Sequence, residues 1–133
     1  MSTGNVELAR EVLDALSRRD VERLVALSDP AVEWHSFFAL GQDGGMYRGH
    51  EGVSQYMNDL TDALETGVAE VDDAMGIGDV TVLVGRLRVR GKESGAATEI
   101  PAGWMLKFVD GRLVRFRAFR EPSEALAAVG LPG

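Results

Sequence analysis

The apolar residues of this chain change their spacing near residue 65, and this change constrains the fold more than any other feature of the sequence. Up to Leu64 they recur every three or four residues, which is typical of helices with one buried face. From Val68 to Arg120 they alternate with polar residues, which is typical of strands. Helices followed by strands predict an α+β fold in which a curved antiparallel sheet wraps over three helices.

The boundaries of the predicted elements come from caps and turn residues. Asn5 and Asp20 are placed to cap the first two helices, and Pro30 ends the second. The glycine-rich segment 39–52 predicts a mobile loop. The predicted elements are helices over 5–19, after Asp20, over 51–64 and within 121–133, and strands over 31–38, 68–77, 80–90, 98–109 and 113–120.

Length and charge limit the classes of function. A chain of 133 residues that is 45% hydrophobic fits a single domain over 1–133. Its net charge of -7 disfavours nucleic acid as a partner. It has no cysteine, and no segment approaches the ~18 apolar residues of a membrane span. We therefore expect a cytoplasmic protein with no membrane partner.

The turn "VDGR" decides which side chains of the last hairpin are buried. A two-residue loop would set Trp104 opposite Arg117 and mix charges into both faces. A three-residue loop pairs Trp104 with Phe116 and gives one apolar face, so it is the predicted register, because an unpaired buried guanidinium costs several kcal/mol.

In that register the arginines of the last strand lie on the outer face of the sheet. Arg115 and Arg117 point outward there, as do Arg86, Arg88 and Arg90 of an earlier strand. Two interpretations stay open. The cations form a solvated face that is partly neutralised by Glu99, Glu70 and Asp72 across the strands, or they form an interface with an acidic partner, most simply a second copy of the chain.

Three stretches carry a resemblance to a known family: "ALSRRDVERLVALSDPAVEW", "YRGHEGV" and "DGRLVRFRAF". With the order of elements, they resemble the nuclear transport factor 2-like superfamily, specifically its SnoaL-like and ketosteroid isomerase-like bacterial members. The resemblance covers nearly the whole chain and implies a cone-shaped domain with a pocket on the concave side. It does not imply one activity, because the superfamily contains isomerases, cyclases, dehydratases and non-catalytic binding domains.

The catalytic residues of those enzymes have no counterparts here. The resemblance places the general-base aspartate of ketosteroid isomerases at Trp34, their oxyanion-binding tyrosine at about Val12 and their second oxyanion donor at about Trp104. The last strand lacks the aspartate base of SnoaL-like cyclases, and the Asp-Arg-Asp set of related epoxide hydrolases is not found.

Three other ionisable residues are candidates for catalysis. His35 has an ordinary pKa near 6.5 but alternates with Trp34 and so faces outward. Tyr56 lies on the buried stripe of the third helix, and Asp73 alternates with Val71 in an inward row. Two histidines without clustered carboxylates make no metal site, and no cofactor is expected.

The candidate ligand-binding residues surround the expected pocket. The two tryptophans either clamp a flat apolar ligand or fill the space, Tyr47 lies at the loop mouth, and Arg120 reaches the pocket rim or solvent. The set is Trp34, Tyr47, Trp104, Phe116 and Arg120.

Two functions follow, both for a homodimer that binds a small apolar molecule. One is an isomerase, cyclase or dehydratase-like enzyme with unusual catalytic residues. The other is a non-catalytic ligand-binding or dimerisation module. A wide pocket around an ionisable group with a shifted pKa favours the enzyme, whereas a pocket closed by Trp34 and Trp104 favours the module.

Overall fold

A computed structural model describes residues 2–36 and 45–130. In these residues, helices and strands occur in the predicted order, which confirms the α+β class. The helices are α1 (Ser2–Arg18), α2 (Val21–Leu27), α3 (Gly49–Ala63) and α4 (Pro122–Ala128). The strands are β1 (Ser28–His35), β2 (Met46–Arg48), β3 (Leu64–Ile77), β4 (Val80–Gly91), β5 (Ala97–Val109) and β6 (Arg112–Phe119).

Local sequence signals fix the ends of the short helices. The carboxylate of Asp20 accepts a hydrogen bond of 3.1 Å from the backbone N–H of Arg23, as predicted for the cap of α2. Pro122 begins α4, and Gly130 follows its end with a φ of 79°, a conformation that glycine adopts without strain. No helix of the described ranges is long and apolar enough to cross a membrane.

The predicted loop over 39–52 is wrong in part. Met46–Arg48 forms strand β2, which pairs with β1 through Glu33 and Arg48. Residues 37–44, which include the end of the predicted first strand, lie outside the described residues.

The six strands form one curved sheet in the order β2-β1-β6-β5-β4-β3. All neighbouring strands are antiparallel except β1 and β6, which run parallel, so the sheet is mixed rather than purely antiparallel. Helices α1 and α3 lie against the inner face, where the main hydrophobic core forms. Its largest buried side chains include Trp34, Trp104 and Phe116.

The β5–β6 hairpin has a different turn from the predicted one. Val109 pairs with Arg112 around a two-residue loop, and both loop residues have positive φ, 52° at Asp110 and 76° at Gly111. This is the loop length that twisted hairpins favour. The prediction of a three-residue loop was therefore wrong.

A β-bulge nevertheless places the side chains from Arg115 onwards on the predicted faces. Phe108 pairs with Leu113 and Lys107 with Arg115, so β6 carries one extra residue, Val114, between these pairs. Beyond the bulge Trp104 pairs with Ala118, not with Phe116. From Arg115 onwards the register differs by two from the predicted one, and a shift of two leaves each side chain on the same face. At the tip it differs by one, so Leu113, which the predicted register placed outward with Arg115, is buried in the main core.

A second, smaller core covers part of the outer face. It contains Val82, Met105 and Phe119 of the sheet and Ala125 of α4. Helix α4 approaches β5 closely at Gly103, where a Cβ atom would lie 2.7 Å from the Cβ of Ala125. The sequence did not predict this cluster, and it restricts the charged part of the outer face to the strands that α4 leaves free.

Candidate functional site

A cavity lies on the inner face of the sheet, between α1, α3 and strands β3 to β6. Apolar side chains form most of its wall, and Tyr56 and Ser17 are the polar residues that line it. The larger apolar side chains of the wall are Leu16, Leu60, Leu64, Leu87, Trp104 and Phe116.

The cavity is small because an aromatic stack fills the space behind its wall. The rings of Trp34 and Phe116 are parallel to within 9°, with centroids 3.9 Å apart. Trp34 is fully buried and does not line the cavity, whereas Trp104 does. The remaining volume is about 20 Å³, which is enough for about one water molecule. Trp34 thus fills space in the core, whereas Trp104 forms part of the cavity wall, and their predicted roles toward a ligand stay predictions.

Tyr56 is the ionisable group of the cavity wall. Its side chain lies on the buried face of α3, and the Tyr56 and Trp34 rings are 5.3 Å apart. Burial raises the pKa of Tyr56 to about 12, although the side chains of Ser36 and Trp34 and the charge of Arg19 act in the opposite direction. The phenol is therefore neutral near pH 7 and donates a proton to hydrogen bonds, but it is a poor base.

Tyr47 lies behind Tyr56 and outside the cavity wall. Its hydroxyl donates a hydrogen bond of 2.6 Å to Asp59 Oδ2, and Gln55 Nε2 donates one of 2.8 Å to Oδ1 of the same carboxylate. The Tyr47 ring meets the Tyr56 ring edge-on at 5.3 Å. Tyr47 thus holds α3 and Tyr56 in place, and its predicted role at a ligand mouth is untested.

Asp73 is on the opposite face from the one predicted. Val71 pairs with Gly85 and Asp73 with Val84, so Asp72 is the extra residue of a bulge in β3. The bulge breaks the alternation that placed Asp73 inward beside Val71, and Asp73 is exposed on the outer face. The inward placement of this carboxylate was therefore wrong.

His35 and Arg120 also lie away from the cavity. His35 is on the outer face, as alternation predicted, where burial and the charges of Arg115, Arg117 and Arg48 lower its pKa while Glu33 raises it. Arg120 follows the end of β6 and is exposed. Neither residue lines the cavity.

The positions that the resemblance assigned to enzymatic acids and bases are buried and apolar in the structure. Val12 is fully buried, and Trp34 and Trp104 are at most 2% exposed. No carboxylate or imidazole of residues 2–36 and 45–130 lines the cavity. Nor does that part of the chain bring three potential metal ligands together.

Ser36 is the site residue that the sequence did not single out. Its hydroxyl interacts with Tyr56 and stabilises the ionised phenol relative to the neutral one. Ser36 follows Trp34 by two residues, so alternation along the predicted strand places both on one face. A hydroxyl in an otherwise apolar row is the signal that could have identified it.

Comparisons with known proteins agree with this architecture. Residues 9–116 match the model of the SnoaL-like domain family. No curated protein sequence matches the chain significantly. An NTF2-like protein of unknown function from Burkholderia pseudomallei K96243 is similar in structure, with a TM-score of 0.78, 23% identity, and coverage of 96% of this chain and 98% of that one.

Two further structures show the same fold. TerC, which was co-crystallised with polyporic acid, has a TM-score of 0.77 and 21% identity over 89% of this chain and 92% of its own. A protein named as a SnoaL-like polyketide cyclase from Shewanella putrefaciens CN-32 has a TM-score of 0.74 and 18% identity over 96% and 98%. At these identities the likeness establishes the fold alone.

Proposed function

We propose that this chain, which belongs to the SnoaL-like domain family, is a non-catalytic module that binds a small, mostly apolar molecule beside Tyr56. The observation that carries the proposal is the composition of the cavity wall. Its side chains are apolar except for Ser17 and Tyr56, and apolar walls with a few oriented polar groups are typical of sites for small organic molecules.

The same wall argues against proton transfer as the function. General acid–base catalysis works best when the pKa of the catalytic group lies near the working pH. A pKa of about 12 keeps Tyr56 protonated, so it orients a ligand but does not abstract a proton. The other candidates, His35 and Asp73, are on the far side of the sheet.

The chemistry of the two polar side chains limits the ligand. Ser17 Oγ already donates to the carbonyl of Leu13 (2.9 Å) and accepts from the backbone N–H of Ala69 (3.0 Å). Tyr56 is thus the group left to meet a ligand, and a neutral phenol suits a carbonyl or hydroxyl oxygen. We expect a compact ring system with one such oxygen.

Binding must widen the cavity, because about 20 Å³ does not hold a ring. Leu60 and Leu64, at the C-terminal end of α3 and the start of β3, are the flexible side chains that can move to admit one. A neighbour of the same fold, TerC, was co-crystallised with polyporic acid, which supports a role for this fold in binding organic molecules. Homodimer formation and a cytoplasmic location remain predictions.

The test is a comparison of thermal unfolding with and without 2-naphthol, a neutral ring compound with one hydroxyl. At a concentration of about ten times the dissociation constant, binding contributes ~1.4 kcal/mol, which raises Tm by roughly 5 °C for a domain of this size.

The cavity assignment is checked with a filling variant and a matched control. A Cβ at Gly67 makes only an ordinary contact of 3.7 Å with Leu64, so the Cβ of Gly67→Val is accommodated and its methyl groups add volume to the cavity wall. Val68→Ile adds volume at an exposed position one residue along the same strand. We expect Gly67→Val to remove the Tm shift and Val68→Ile to retain it. An absent shift in the wild type, or an equal shift in Gly67→Val, would refute the proposal.

A further inference from the structure

The arginines of the outer face fall into two groups that differ in their partners. On β4, Arg86 contacts Asp72 (3.3 Å) and Glu99 (3.4 Å), and Arg88 contacts Glu70 (2.7 Å) and Glu99 (3.0 Å). These are the carboxylates expected to neutralise the face, so that prediction is confirmed for Arg86 and Arg88, whereas Arg90 donates to the carbonyl of Gly95 at 2.7 Å.

The arginines of β6 have no such partners. Within the described ranges, neither Arg115 nor Arg117 forms an ion pair with a carboxylate. The acidic residue nearest in register to Arg115 is Glu33, and its carboxylate contacts Arg48 at 3.1 Å instead. Lys107, which lies opposite Arg115 on β5, adds a further positive charge, and the carboxylate of Asp79 lies 3.9 Å from its Nζ.

On the β1–β6 part of the outer face, two buried atoms also lack a hydrogen-bond partner, as Nε of Arg86 does on β4. They are Nε of Arg115 and Nε2 of His35, and neither contacts a polar atom of the described residues at hydrogen-bond distance. Nε of Arg115 is a donor, and Nε2 of His35 is one when it carries a proton. A buried donor left unpaired costs about 1–3 kcal/mol, so a group that accepts its proton in a hydrogen bond is bound favourably. His35 lies opposite Arg117 in the parallel register of β1 and β6, which brings the imidazole and the guanidinium groups onto one patch.

The position of Arg117 is fixed by an aromatic ring. Its guanidinium carbon lies 4.7 Å from the centroid of Phe119, within the range of a cation–π contact. Because Phe119 belongs to the core beneath α4, this contact limits the motion of the arginine. A guanidinium that is held in place loses less entropy when it binds a ligand.

We propose that Arg115, Arg117 and His35 form a binding site for a single oxyanion, a carboxylate or phosphate group. Guanidinium groups bind such oxygens with charge-assisted, often paired hydrogen bonds. The site is on the outer face of β1 and β6, across the sheet from the cavity, so it does not depend on the function proposed for the cavity.

Binding at this site is coupled to the protonation of His35. The charged groups that face the imidazole are Glu33 on its own strand, Arg48 on β2, and Arg115 and Arg117 on β6. Burial and the three arginines lower the pKa of His35, and Glu33 opposes them. A bound anion adds negative charge and raises that pKa, so by linkage the anion binds more tightly as the pH falls.

Sulfate is a suitable probe because its charge is constant over the pH range in which histidine titrates. The chain has two histidines, so their ring protons can be followed separately by NMR. His50 is an internal control, since its Nε2 donates to the carbonyl of Ser28 at 2.8 Å, away from the arginines. With ionic strength held constant by chloride, we expect sulfate to raise the pKa of His35 by roughly half a unit to one unit, and we expect the ring-proton signals of His50 not to respond to sulfate.

Substitutions on the same face identify the groups that bind. We expect Arg115→Gln and Arg117→Gln each to reduce the sulfate-induced shift at least twofold, whereas Arg88→Gln removes a paired arginine and leaves the shift intact. Arg117→Lys keeps the charge and should retain part of the shift, which separates binding from misfolding. No sulfate-dependent shift at His35, an equal shift at His50, or an equal response in Arg117→Gln and Arg88→Gln would overturn the proposal.

The source of the oxyanion is distinguished by measuring the pKa of His35 at two protein concentrations that differ tenfold, first without sulfate and then with it. If the pKa of His35 falls on tenfold dilution of the protein, the ligand is a carboxylate of a second copy. If sulfate shifts the pKa by the same amount at both protein concentrations, the ligand is a free anion. Both results support an oxyanion site and differ only in what supplies the oxyanion.

Discussion

Replacing Trp104 by alanine tests both the packing of the inner face and the origin of the small cavity. The indole is 2% exposed, lies between Leu83 of β4 and Ala118 of β6, and forms part of the cavity wall. The substitution removes the ring and leaves its space connected to the existing cavity.

The cost follows from the volume removed. Truncation to alanine leaves on the order of 150 Å³, about the size of an apolar cavity that stays dry and holds benzene. At ~24 cal/mol per Å³ this cavity costs about 3–4 kcal/mol, within the ~3–5 kcal/mol range for buried Trp or Phe truncations. The corresponding fall in Tm is roughly 12 °C for a domain of this size.

Urea unfolding measures this cost, and ligand rescue identifies its cause. We expect the midpoint to fall with an unchanged slope, because the native state keeps its compactness. Indole should then stabilise Trp104→Ala by at least ~1 kcal/mol more than it stabilises the wild type, since it refills the space. The control is Val109→Ala on the same strand, which is 44% exposed and should change the free energy of unfolding by less than ~0.5 kcal/mol. A loss below ~1 kcal/mol in Trp104→Ala, without rescue by indole, would show that Trp104 does not fill the inner face.

Two further predictions concern Tyr56 and the bulge of β3. Below about pH 10 the phenol of Tyr56 is protonated in both the folded and unfolded states. Between about pH 10 and about pH 12 only the unfolded state ionises, because the folded-state pKa is about 12. The free energy of unfolding therefore falls by up to roughly 3 kcal/mol over this pH range. Tyr56→Phe should lack that alkaline loss in urea titrations at pH 9 and 11, and equal losses in both proteins would contradict the assigned pKa. A Cβ at Gly85 would lie 1.9 Å from the carbonyl oxygen of Glu70, so Gly85→Ala should destabilise the fold by at least ~2 kcal/mol in urea unfolding. The matched control is Gly4→Ala, whose added Cβ has no atom within 4 Å and which should stabilise α1 by up to ~1 kcal/mol. Similar effects of the two substitutions on the free energy of unfolding would exclude a close approach at Gly85.

The spacing of apolar residues was sufficient to predict the order of elements and the faces of most side chains. Trp104 and Phe116 are buried and Arg117 is exposed because the apolar side chains of one face are buried together. The error in the predicted turn left the faces from Arg115 onwards unchanged, since the register there is shifted by two, and it misplaced Leu113, which is buried. The resemblance supplied the architecture, which the match over residues 9–116 confirms.

The features that the sequence did not predict depend on contacts between distant strands. The bulge at Asp72 turns Asp73 outward, and its local sign is Gly85 on the facing strand, where no side chain fits against the bulged backbone. The registers of β3, β4 and β6 determine which arginines form ion pairs with carboxylates. The closure of the cavity depends on the stacking of Trp34 on Phe116 across the parallel pair β1–β6. Alternation along a single strand contains none of this information.

The extra residue in β6 has a consequence for how this hairpin tolerates changes in length. Deleting Val114 would remove the bulge and leave a regular β-ladder from the turn onwards. Lys107 would still pair with Arg115, and every later pair of β5 and β6 would also be kept. Deleting one residue nearer the middle of β6 would instead move the side chains between that point and one end of the strand to the opposite face of the sheet. Guanidinium groups would then enter the core. A single-residue deletion can therefore be nearly silent at one position and disruptive a few residues away.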